Sequence, residues 1–238
     1  MTDAREPGTE DSGTEEVPLV AAATVLLLRD AEAGLEVLTL RRNSKIAFGG
    51  MWVFPGGRVD AEELDMADEL GSARRAAARE TTEEAGLMVP EDQMVAWSHW
   101  QPPGANAMQR SGPIRRFSTW FFAARAPEGA VVIDDGEITE HAWTTASSAL
   151  ERHAAAEIEI VPPTWITLTE LARHDTADAA LAWAGSRSAR RFHTKPIAKK
   201  PMTLAWEGDD AFDGTDHGAR NRLEMHDDGW IWHDSTLG

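Results

Sequence analysis

Cysteine is absent from the 238-residue chain, and so is tyrosine, whereas tryptophan occurs ten times. Without cysteine the chain can form neither disulfides nor thiolate metal sites. Any metal ion must therefore be bound by oxygen or imidazole ligands. The absence does not by itself identify the cellular compartment.

Positive charge is also scarce, because 23 Lys and Arg stand against 40 Asp and Glu, which gives a formal net charge of −17. Proteins whose main task is to bind the phosphate backbone of nucleic acids carry a basic surface. The charge therefore argues against a nucleic-acid-binding protein, including an RNA-decapping enzyme. It favours solubility and the binding of cations.

Long apolar runs are missing as well. The sequence contains no stretch of 18 apolar residues, and its amino terminus has no basic region followed by an apolar one. It predicts neither a transmembrane helix nor a secretory signal, so a soluble cytoplasmic protein is the expectation. The length suits one domain with additions.

The chain divides into three parts. Its first 16 residues hold six acids, one arginine and almost no large apolar side chain, and this composition predicts a disordered acidic tail over residues 1–17. We expect residues 18–150 to form the main domain. Residues 151–238 are predicted to be an extension packed on the same domain, as a lid, a dimer surface or extra sheet strands.

The apolar patterns predict a mixed sheet with helices. A hairpin is expected from two strands, 20–28 and 35–42, joined through residues 30–34. Residues 60–70 fit a short helix or an ordered loop that ends at Gly71. Further strands are predicted at 51–54, 94–100, 117–124, 131–133, 138–143 and 202–206 and within 222–232, where Asp227-Asp228-Gly229 forms a turn. Helices are predicted at 73–85, with Ser72 as cap and Gly86 as stop, and at 146–156, 164–174 and 176–184.

The helix at 73–85 carries three carboxylates on one face. Each residue advances by about 100° around a helix, so Glu83 and Glu84 both fall within roughly 60° of Glu80. An acidic face exposed to solvent is the plain alternative, since like charges at this spacing cost only about 0.2–0.5 kcal/mol. The upstream stretch Phe54-Pro55-Gly56-Gly57 favours a site, because two successive glycines let backbone approach a metal or a phosphate.

On these residues the chain resembles the Nudix hydrolases, whose box reads G-x5-E-x7-R-E-U-x-E-E-x-G-U with U apolar. The fixed positions are occupied by Gly57, Glu63, Arg79-Glu80, Glu83-Glu84, Gly86 and Leu87. Two departures stand out: 15 residues separate Glu63 from Arg79, and Thr81 takes an apolar position. Because of this insertion, the position of the first glutamate can be filled by Glu63, by Glu69 or by neither.

The resemblance covers about residues 20–150. It implies a Nudix fold of the α/β (α+β) type, with a mixed sheet between helices, and cleavage of a diphosphate that joins a nucleoside to another group. By position, it implies that the Gly56 carbonyl and the side chains of Glu80, Glu83 and Glu84 bind Mg²⁺ or Mn²⁺. All four are oxygen donors, as a hard cation requires.

The catalytic residues implied by position are Glu83 and Glu84, with Arg79 orienting Glu83 through a charge-assisted hydrogen bond. In this family the general base is a box glutamate or an acid on a later loop. Glu137 and Glu140 lie at that loop, and Glu140 is the prediction. We expect His99, a lone strand histidine, to be structural.

The substrate is less well specified. Residues 54–60, the insertion and residues 115–122 are similar to the coenzyme A diphosphatase branch, whereas Arg42-Asn43-Ser44 and Gly50-Met51-Trp52 depart from it. ADP-ribose, NADH, dinucleoside polyphosphates and a catalytically silent nucleotide-binding or regulatory module are the alternatives. The intact glutamates count against the silent module.

A homodimer is expected from the family, with the carboxyl-terminal hairpin as one candidate contact. Further residues are candidates for contact with the substrate. Substrate-binding residues are predicted at Arg42, Arg58 and Arg116, and further phosphate contacts at Arg41, Lys45 and Arg115. Four tryptophans near the expected cleft are candidates to stack on adenine, although core packing is the expectation for most of them: Trp52, Trp97, Trp100 and Trp120.

Overall fold

The computed structural model describes residues 18–44, 49–104, 116–134 and 136–235. The predicted acidic tail and two candidate phosphate contacts, Lys45 and Arg115, lie outside these ranges. No helix of the described ranges is long and apolar enough to cross a membrane.

A mixed sheet of eight strands forms the centre of the fold. Six strands follow one another in the order β3-β2-β1-β6-β5-β8, while β4 pairs with β1 and β7 pairs with β2. The strands are β1 (Leu19–Ala31), β2 (Gly34–Arg42), β3 (Trp52–Val53), β4 (Gly56–Arg58), β5 (Val95–Gln101), β6 (Arg116–Arg125), β7 (Ile138–Thr145) and β8 (Arg190–His193).

A smaller antiparallel sheet and the helices complete the described chain. The smaller sheet has the order β12-β11-β10-β9, with β9 (Lys195–Lys199), β10 (Met202–Ala205), β11 (Asn221–His226) and β12 (Gly229–Asp234). The helices are α1 (Glu69–Ala85), α2 (Ala146–Ala154), α3 (Pro162–Leu171), α4 (Ala177–Gly185) and the single turn α5 (Asp210–Asp213), and a 3-10 turn spans Glu91–Gln93.

Strand β1 is the axis of the main sheet. It forms the predicted hairpin with β2, in which Leu28 lies opposite Val37, and it runs parallel to β6 over ten residue pairs, from Leu19 beside Arg116 to Leu28 beside Arg125. Parallel and antiparallel neighbours of one strand make the sheet mixed. The predicted fold class is confirmed.

The two faces of β1 are buried in two different cores, because successive side chains of a strand point to opposite faces. Val25 and Leu27 pack in a core with the small α1 residues Ala73, Ala76 and Ala77, which let the helix lie close to the sheet. Leu26 and Leu28 belong to the other core, which α2, α3 and α4 cover together with the smaller sheet. The sheet therefore lies between helices.

The four tryptophans proposed near the cleft are buried in these cores. Trp97 and Trp100 are 0% and 4% exposed, and Trp52 and Trp120 are 7% and 9% exposed. Trp100 stacks on Phe192 with 3.9 Å between the ring centroids and 4° between the planes. Core packing is thus confirmed for these four side chains.

Helix α1 begins earlier than the sequence predicted. Its cap is Asp68, whose carboxylate accepts from the Gly71 N–H at 2.9 Å, so the prediction of Ser72 as cap is wrong. The Ser72 hydroxyl instead accepts from the Asp65 N–H at 2.7 Å. Gly71 lies inside the helix and ends nothing. Gly86 is the C-cap in a left-handed conformation (φ 67°), as predicted.

The predicted strand at 131–133 is also wrong. Its Val132 N–H donates to the Ala85 carbonyl at 2.9 Å, so this segment closes the end of α1 and joins no strand. Helix α3 begins two residues before its predicted start, since Pro162 and Pro163 occupy first-turn positions where no intrahelical N–H is needed. Strands β8 and β9 were not predicted.

Part of the predicted extension is continuous with the main sheet. Strand β8 runs parallel to β5, with Ser98 beside Arg190 and Gln101 beside His193. Trp206 and Leu223 of the smaller sheet are fully buried in the core shared with α3 and α4. Residues after 151 therefore supply one sheet strand and much of one core. Their roles as lid or dimer surface stay predictions.

Candidate active site

The glycine loop is fixed to β1 before it reaches the helix. The Pro55 carbonyl accepts from the Val25 N–H at 2.9 Å and from the Thr24 hydroxyl at 2.6 Å. The next residue, Gly56, has φ +153° and lies so close to β1 that an added Cβ would overlap the backbone of Ala23 and Thr24. Only glycine suits this position.

Gly57 makes room for a carboxylate of α1. A Cβ added at Gly57 would overlap the Glu80 carboxylate. The loop half and the helix half of the sequence pattern are therefore in direct contact, as their joint appearance in the sequence predicted.

Glu84 is the buried acid of the site, with 4% of its surface exposed. Its Oε2 accepts from the Gly56 N–H at 2.9 Å, whereas its Oε1 accepts no hydrogen bond from the described residues and has Arg42 Nη1 at 3.7 Å. Burial raises the pKa of Glu84 to about 8; the Gly56 N–H and Arg42 oppose the rise, and the charges on Glu80 and Glu137 add to it. Burial likewise raises the pKa of Glu80.

Arg79 joins the other acids of α1. Its Nη1 donates to Glu80 Oε1 and to Glu83 Oε2, both at 2.9 Å. Its other donors bind Glu63 in a two-pronged pair, Nε to Oε1 at 2.9 Å and Nη2 to Oε2 at 3.1 Å. Nη2 also donates to the Arg58 carbonyl at 2.8 Å. Arg79 therefore contacts Glu83, as predicted, and ties it to the loop.

The choice between Glu63 and Glu69 is decided by these contacts. Glu63 holds Arg79 although 15 residues separate them, and Arg75 Nη2 donates to its carbonyl at 2.8 Å. Glu69 lies at the start of α1, where it accepts from Trp120 Nε1 at 2.9 Å. The pKa of Glu63 lies below its ordinary value, because hydrogen bonds from Arg79 and the Asp60 N–H outweigh the effect of burial.

Thr81, the other departure from the box, is fully buried at its apolar position. Its hydroxyl donates to the Ala77 carbonyl one turn earlier at 2.6 Å. A threonine that satisfies its hydroxyl within the helix presents its methyl group to the core. The substitution therefore leaves the box helix intact.

The oxygen donors fit a hard cation in kind. Gly56, Glu80, Glu83 and Glu84 offer only oxygen, and Glu84 Oε1 is a buried acceptor with no hydrogen-bond donor among the described residues. As they stand, Glu80 and Glu83 are bound to Arg79, and no three His, Asp or Glu side chains of the described ranges converge closely enough to hold an ion.

The side chains of two predicted substrate-binding arginines, Arg58 and Arg116, have no hydrogen bond or ion pair with the box glutamates among the contacts described. Arg58 has an exposed side chain, and it is its carbonyl that contacts Arg79. Arg116 is buried and donates from Nε to the Pro103 carbonyl at 3.1 Å. It lies beside Leu19, five residues along β1 from the partner of Gly56, so about 16 Å separates the two levels of the sheet. Arg116 therefore does not lie beside the carboxylates, and its role in substrate binding stays a prediction.

Arg42 does reach the site, but Glu140 does not. Glu140 forms an exposed ion pair with Arg41 Nη1 at 2.5 Å. Glu137 instead contacts Arg42 Nη2 at 3.0 Å, and the same guanidinium faces Glu84. The role of Glu140 as general base stays a prediction, and Glu137, just before β7, is the acid that Arg42 links to the box.

The fold and this loop-helix arrangement define a Nudix domain. The family model described as NUDIX domain matches residues 18–164, and the chain belongs to that family. By class the protein is a Nudix hydrolase, and such enzymes generally use divalent ions such as Mg²⁺ or Mn²⁺. Comparison with curated proteins gives no match.

The chain is also similar to solved structures. A NUDIX hydrolase from Alicyclobacillus acidocaldarius is 22% identical with a TM-score of 0.59, over 70% of this chain and 96% of that one. The NUDIX domain of Shewanella oneidensis NrtR, solved with ADP ribose, is 18% identical (TM-score 0.48; 66% and 87% covered). A C. elegans Ap4A hydrolase is 20% identical (TM-score 0.44; 65% and 96% covered). At 22% identity, the likeness to the Alicyclobacillus acidocaldarius enzyme concerns the fold alone, and no argument rests on the other two.

Proposed function

We propose that the protein is a divalent-metal-dependent pyrophosphohydrolase that cleaves the diphosphate between a nucleoside and another group. The observation that carries the proposal is Glu84. Its buried Oε1 has no hydrogen-bond donor among the described residues, and Glu80 and Glu83 extend from the same helix beside the glycine loop. A buried carboxylate oxygen without a donor is costly unless a cation compensates it.

In this proposal the Gly56 carbonyl and the carboxylates of Glu80, Glu83 and Glu84 hold Mg²⁺ or Mn²⁺. When bound, the ion neutralises charge on the diphosphate and on the reacting phosphorus. Arg79 acts through its contacts: it orients Glu80 and Glu83, which would help to hold the ion, and Glu63 fixes Arg79 itself.

Hydrolysis also needs a group that takes a proton from the attacking water. One carboxylate near the start of β7 accepts that proton while the water oxygen forms a bond to one phosphorus. The bridging P–O bond breaks, and its electron pair leaves on the other phosphate. The proposed acceptor from sequence is Glu140, which the structure pairs with Arg41.

CoA or acyl-CoA is our specific substrate proposal, and it rests on sequence similarity in residues 54–60, the insertion and residues 115–122. Arg42 is the predicted substrate-binding arginine that lies beside the carboxylates. ADP-ribose and NADH are the main alternatives, and dinucleoside polyphosphates are a third. A homodimer and a cytoplasmic location are further predictions.

The test is a panel of these diphosphates with Mg²⁺ or Mn²⁺, assayed with the wild type, Glu83→Gln and Glu84→Gln. Glu91→Gln, an exposed acid in the 3-10 turn, is the matched control. We expect cleavage by the wild type and the control and a loss of at least about 100-fold in both box variants. If no diphosphate is cleaved with either metal, the proposed hydrolase function is wrong. If CoA is inert while ADP-ribose is cleaved, only the substrate proposal is wrong.

A further inference from the structure

Two arginine-glutamate pairs join consecutive residues of β2 to β7 and to the residue just before it. Arg41 pairs with Glu140, and both side chains are about half exposed. Arg42 pairs with Glu137, but the Arg42 side chain is only 17% exposed. The Arg41–Glu140 pair is therefore exposed to solvent, whereas Arg42 of the other pair faces the box helix.

The difference arises from a break in the strand register. Arg41 lies opposite Glu140, but Arg42 lies opposite Ile138, so the ladder shifts between these two arginines. Such bulges redirect side chains and occur often beside active sites. Here the shift brings Glu137 next to Asn43, whose N–H donates to the Glu137 carbonyl at 2.7 Å.

The turn that carries Glu137 is held from both sides. Asp134 accepts from the Glu137 N–H at 3.1 Å and from the Ile138 N–H at 2.9 Å. The Asn43 amide donates to the Gly136 carbonyl at 3.0 Å. The backbone N–H and carbonyl of Glu137 are therefore both hydrogen-bonded, and so are the Gly136 carbonyl and the Ile138 N–H on either side of it.

Arg42 lies between Glu137 and the box. Its Nη2 donates to Glu137 at 3.0 Å, its Nη1 is 3.7 Å from Glu84, and its buried Nε has no hydrogen-bond partner among the described residues. A planar guanidinium holds two acids in a fixed relation better than a flexible ammonium does. The negative charge on Glu137 also contributes to the raised pKa of both Glu80 and Glu84.

We propose that Arg42 is a positioning residue that holds Glu137 toward Glu84, and that Glu137, in place of Glu140, is the carboxylate that takes the proton from the attacking water. This inference rests on the proposed function. It also reassigns Arg42, because a guanidinium already engaged by two carboxylates acts on the acids first and on a substrate phosphate second.

The kinetic test compares Glu137→Gln, Glu140→Gln, Arg42→Gln and the double variant of Arg42 and Glu137. We expect Glu137→Gln to lower kcat by about 100-fold or more, and Glu140→Gln by less than about threefold. Arg42→Gln should lower kcat by at least about tenfold, with KM changed little. The double variant should be no slower than Glu137→Gln alone, within about twofold, because Arg42 acts through Glu137.

A control pair exists in the same sheet. Arg29 and Glu36 lie opposite each other across β1 and β2, with Arg29 Nε donating to Glu36 at 2.8 Å. Arg29→Gln and Glu36→Gln should leave kcat and KM unchanged. Arg42→Lys keeps the charge but loses the two-pronged geometry and should restore only part of the activity, with thermal melts confirming that each variant folds.

Mn²⁺ affinity gives a second readout that does not require turnover. Glu137→Gln leaves the Arg42 cation uncompensated beside Glu84 and should weaken Mn²⁺ binding several-fold, whereas Arg42→Gln should strengthen it. Glu140→Gln and the Arg29–Glu36 variants should not change it. Calorimetry or electron paramagnetic resonance measures all of these.

The inference is overturned if Glu140→Gln costs as much kcat as Glu137→Gln. It is also overturned if Arg42→Gln raises KM at unchanged kcat and adds fully to Glu137→Gln, as a phosphate contact would. If the wild type cleaves no diphosphate, the proposed function fails by itself. Equal Mn²⁺ affinities of the Glu137 and Glu140 variants would then reject the Arg42 link separately.

Discussion

The carboxylate of Glu63 binds the guanidinium of Arg79 through two parallel hydrogen bonds, at 2.9 and 3.1 Å, across the insertion of the Nudix box. The insertion therefore lengthens the loop without separating its two anchors. Arg79 in turn contacts Glu80 and Glu83. Loss of Glu63 should therefore change the positions of the Glu80 and Glu83 carboxylates through Arg79, although Glu63 contacts neither of them in the described structure.

The first prediction follows from this pair. Glu63→Gln cannot form the two-pronged ion pair, so Arg79 loses its anchor and we expect kcat to fall by about 10-fold to 100-fold. Glu69→Gln is the matched comparison, because Glu69 contacts Trp120 instead. Its kcat should stay within about twofold of the wild type. Steady-state kinetics on the best substrate of the panel measures both, and equal losses would contradict the assignment of Glu63.

The second prediction concerns the metal-free protein. Burial raises the pKa of Glu84 to about 8, above its ordinary value, so the ionised form is penalised and stability is lost as the pH rises from about 4.5 to 8. Glu84→Gln removes the penalty and can still accept from the Gly56 N–H. We expect it to be more stable than the wild type in EDTA at pH 8, by about 1 kcal/mol or more.

The addition of Mn²⁺ should reverse that order. The ion stabilises a folded state that binds it, so the wild type should melt at a higher temperature with Mn²⁺ and Glu84→Gln should respond much less. Differential scanning calorimetry with and without Mn²⁺ measures the two shifts. Equal shifts would show that Glu84 does not hold the ion.

The third prediction concerns His99, which is 2% exposed and stacks on Trp120 with centroids 4.5 Å apart. Burial lowers its pKa from 6.5 to about 4. Between these two pH values His99 is protonated in the unfolded chain but neutral in the folded protein. The free energy of unfolding therefore falls as the pH decreases from about 6.5 toward 4. Between pH 7 and pH 5, His99 should lower the free energy of unfolding by about 2 kcal/mol.

Urea unfolding at the two pH values tests this contribution. His99→Gln should lose about 2 kcal/mol less than the wild type on going from pH 7 to pH 5, and His217→Gln, an exposed histidine, should behave as the wild type. Identical pH dependence in all three proteins would show that His99 titrates normally in the folded state.

The fourth prediction tests how the carboxyl-terminal strands are held. Arg190 of β8 donates to Glu170 of α3 at 3.1 Å and to Asp234 of β12 at 2.7 Å, and both acids are nearly fully buried. Arg190→Leu removes a cation that these acids share. Breaking a buried pair costs about 3–5 kcal/mol, so we expect a loss of that size in urea unfolding. Arg191→Leu, an exposed neighbour, should cost less than about 1 kcal/mol.

Local sequence signals predicted most of the elements around the site. The alanine-rich helix, its glycine stop and the hairpin of β1 and β2 depend on contacts within a few residues, and these were read correctly. The start of α1 was predicted incorrectly, because Asp68 and Ser72 are both residue types that cap helices well. The two differ in the folded chain, where the Ser72 hydroxyl accepts from the Asp65 N–H and Asp68 accepts from the Gly71 N–H.

The sequence analysis missed features that depend on contacts between residues far apart in the sequence. Strand β8 is four residues long and holds two arginines and a histidine, so nothing local marks it as a strand, and it forms on β5. The contact of Glu63 with Arg79 depends on how the insertion folds back. Glu137 rather than Glu140 contacts Arg42 because the pairing of β2 with β7 shifts in register, and no residue in the sequence indicates this shift.

The pairing of β5 with β8 also has a consequence for biosynthesis. The matched family region ends at residue 164, yet the ring that covers Trp100 is Phe192, on a strand whose partner was made some ninety residues earlier. Pairings of such large sequence separation form late and slow folding. We expect a nascent chain that has emerged only through residue 164 to expose the edge of β5 and the face of Trp100 that Phe192 covers, and such exposed edges and apolar surface favour aggregation.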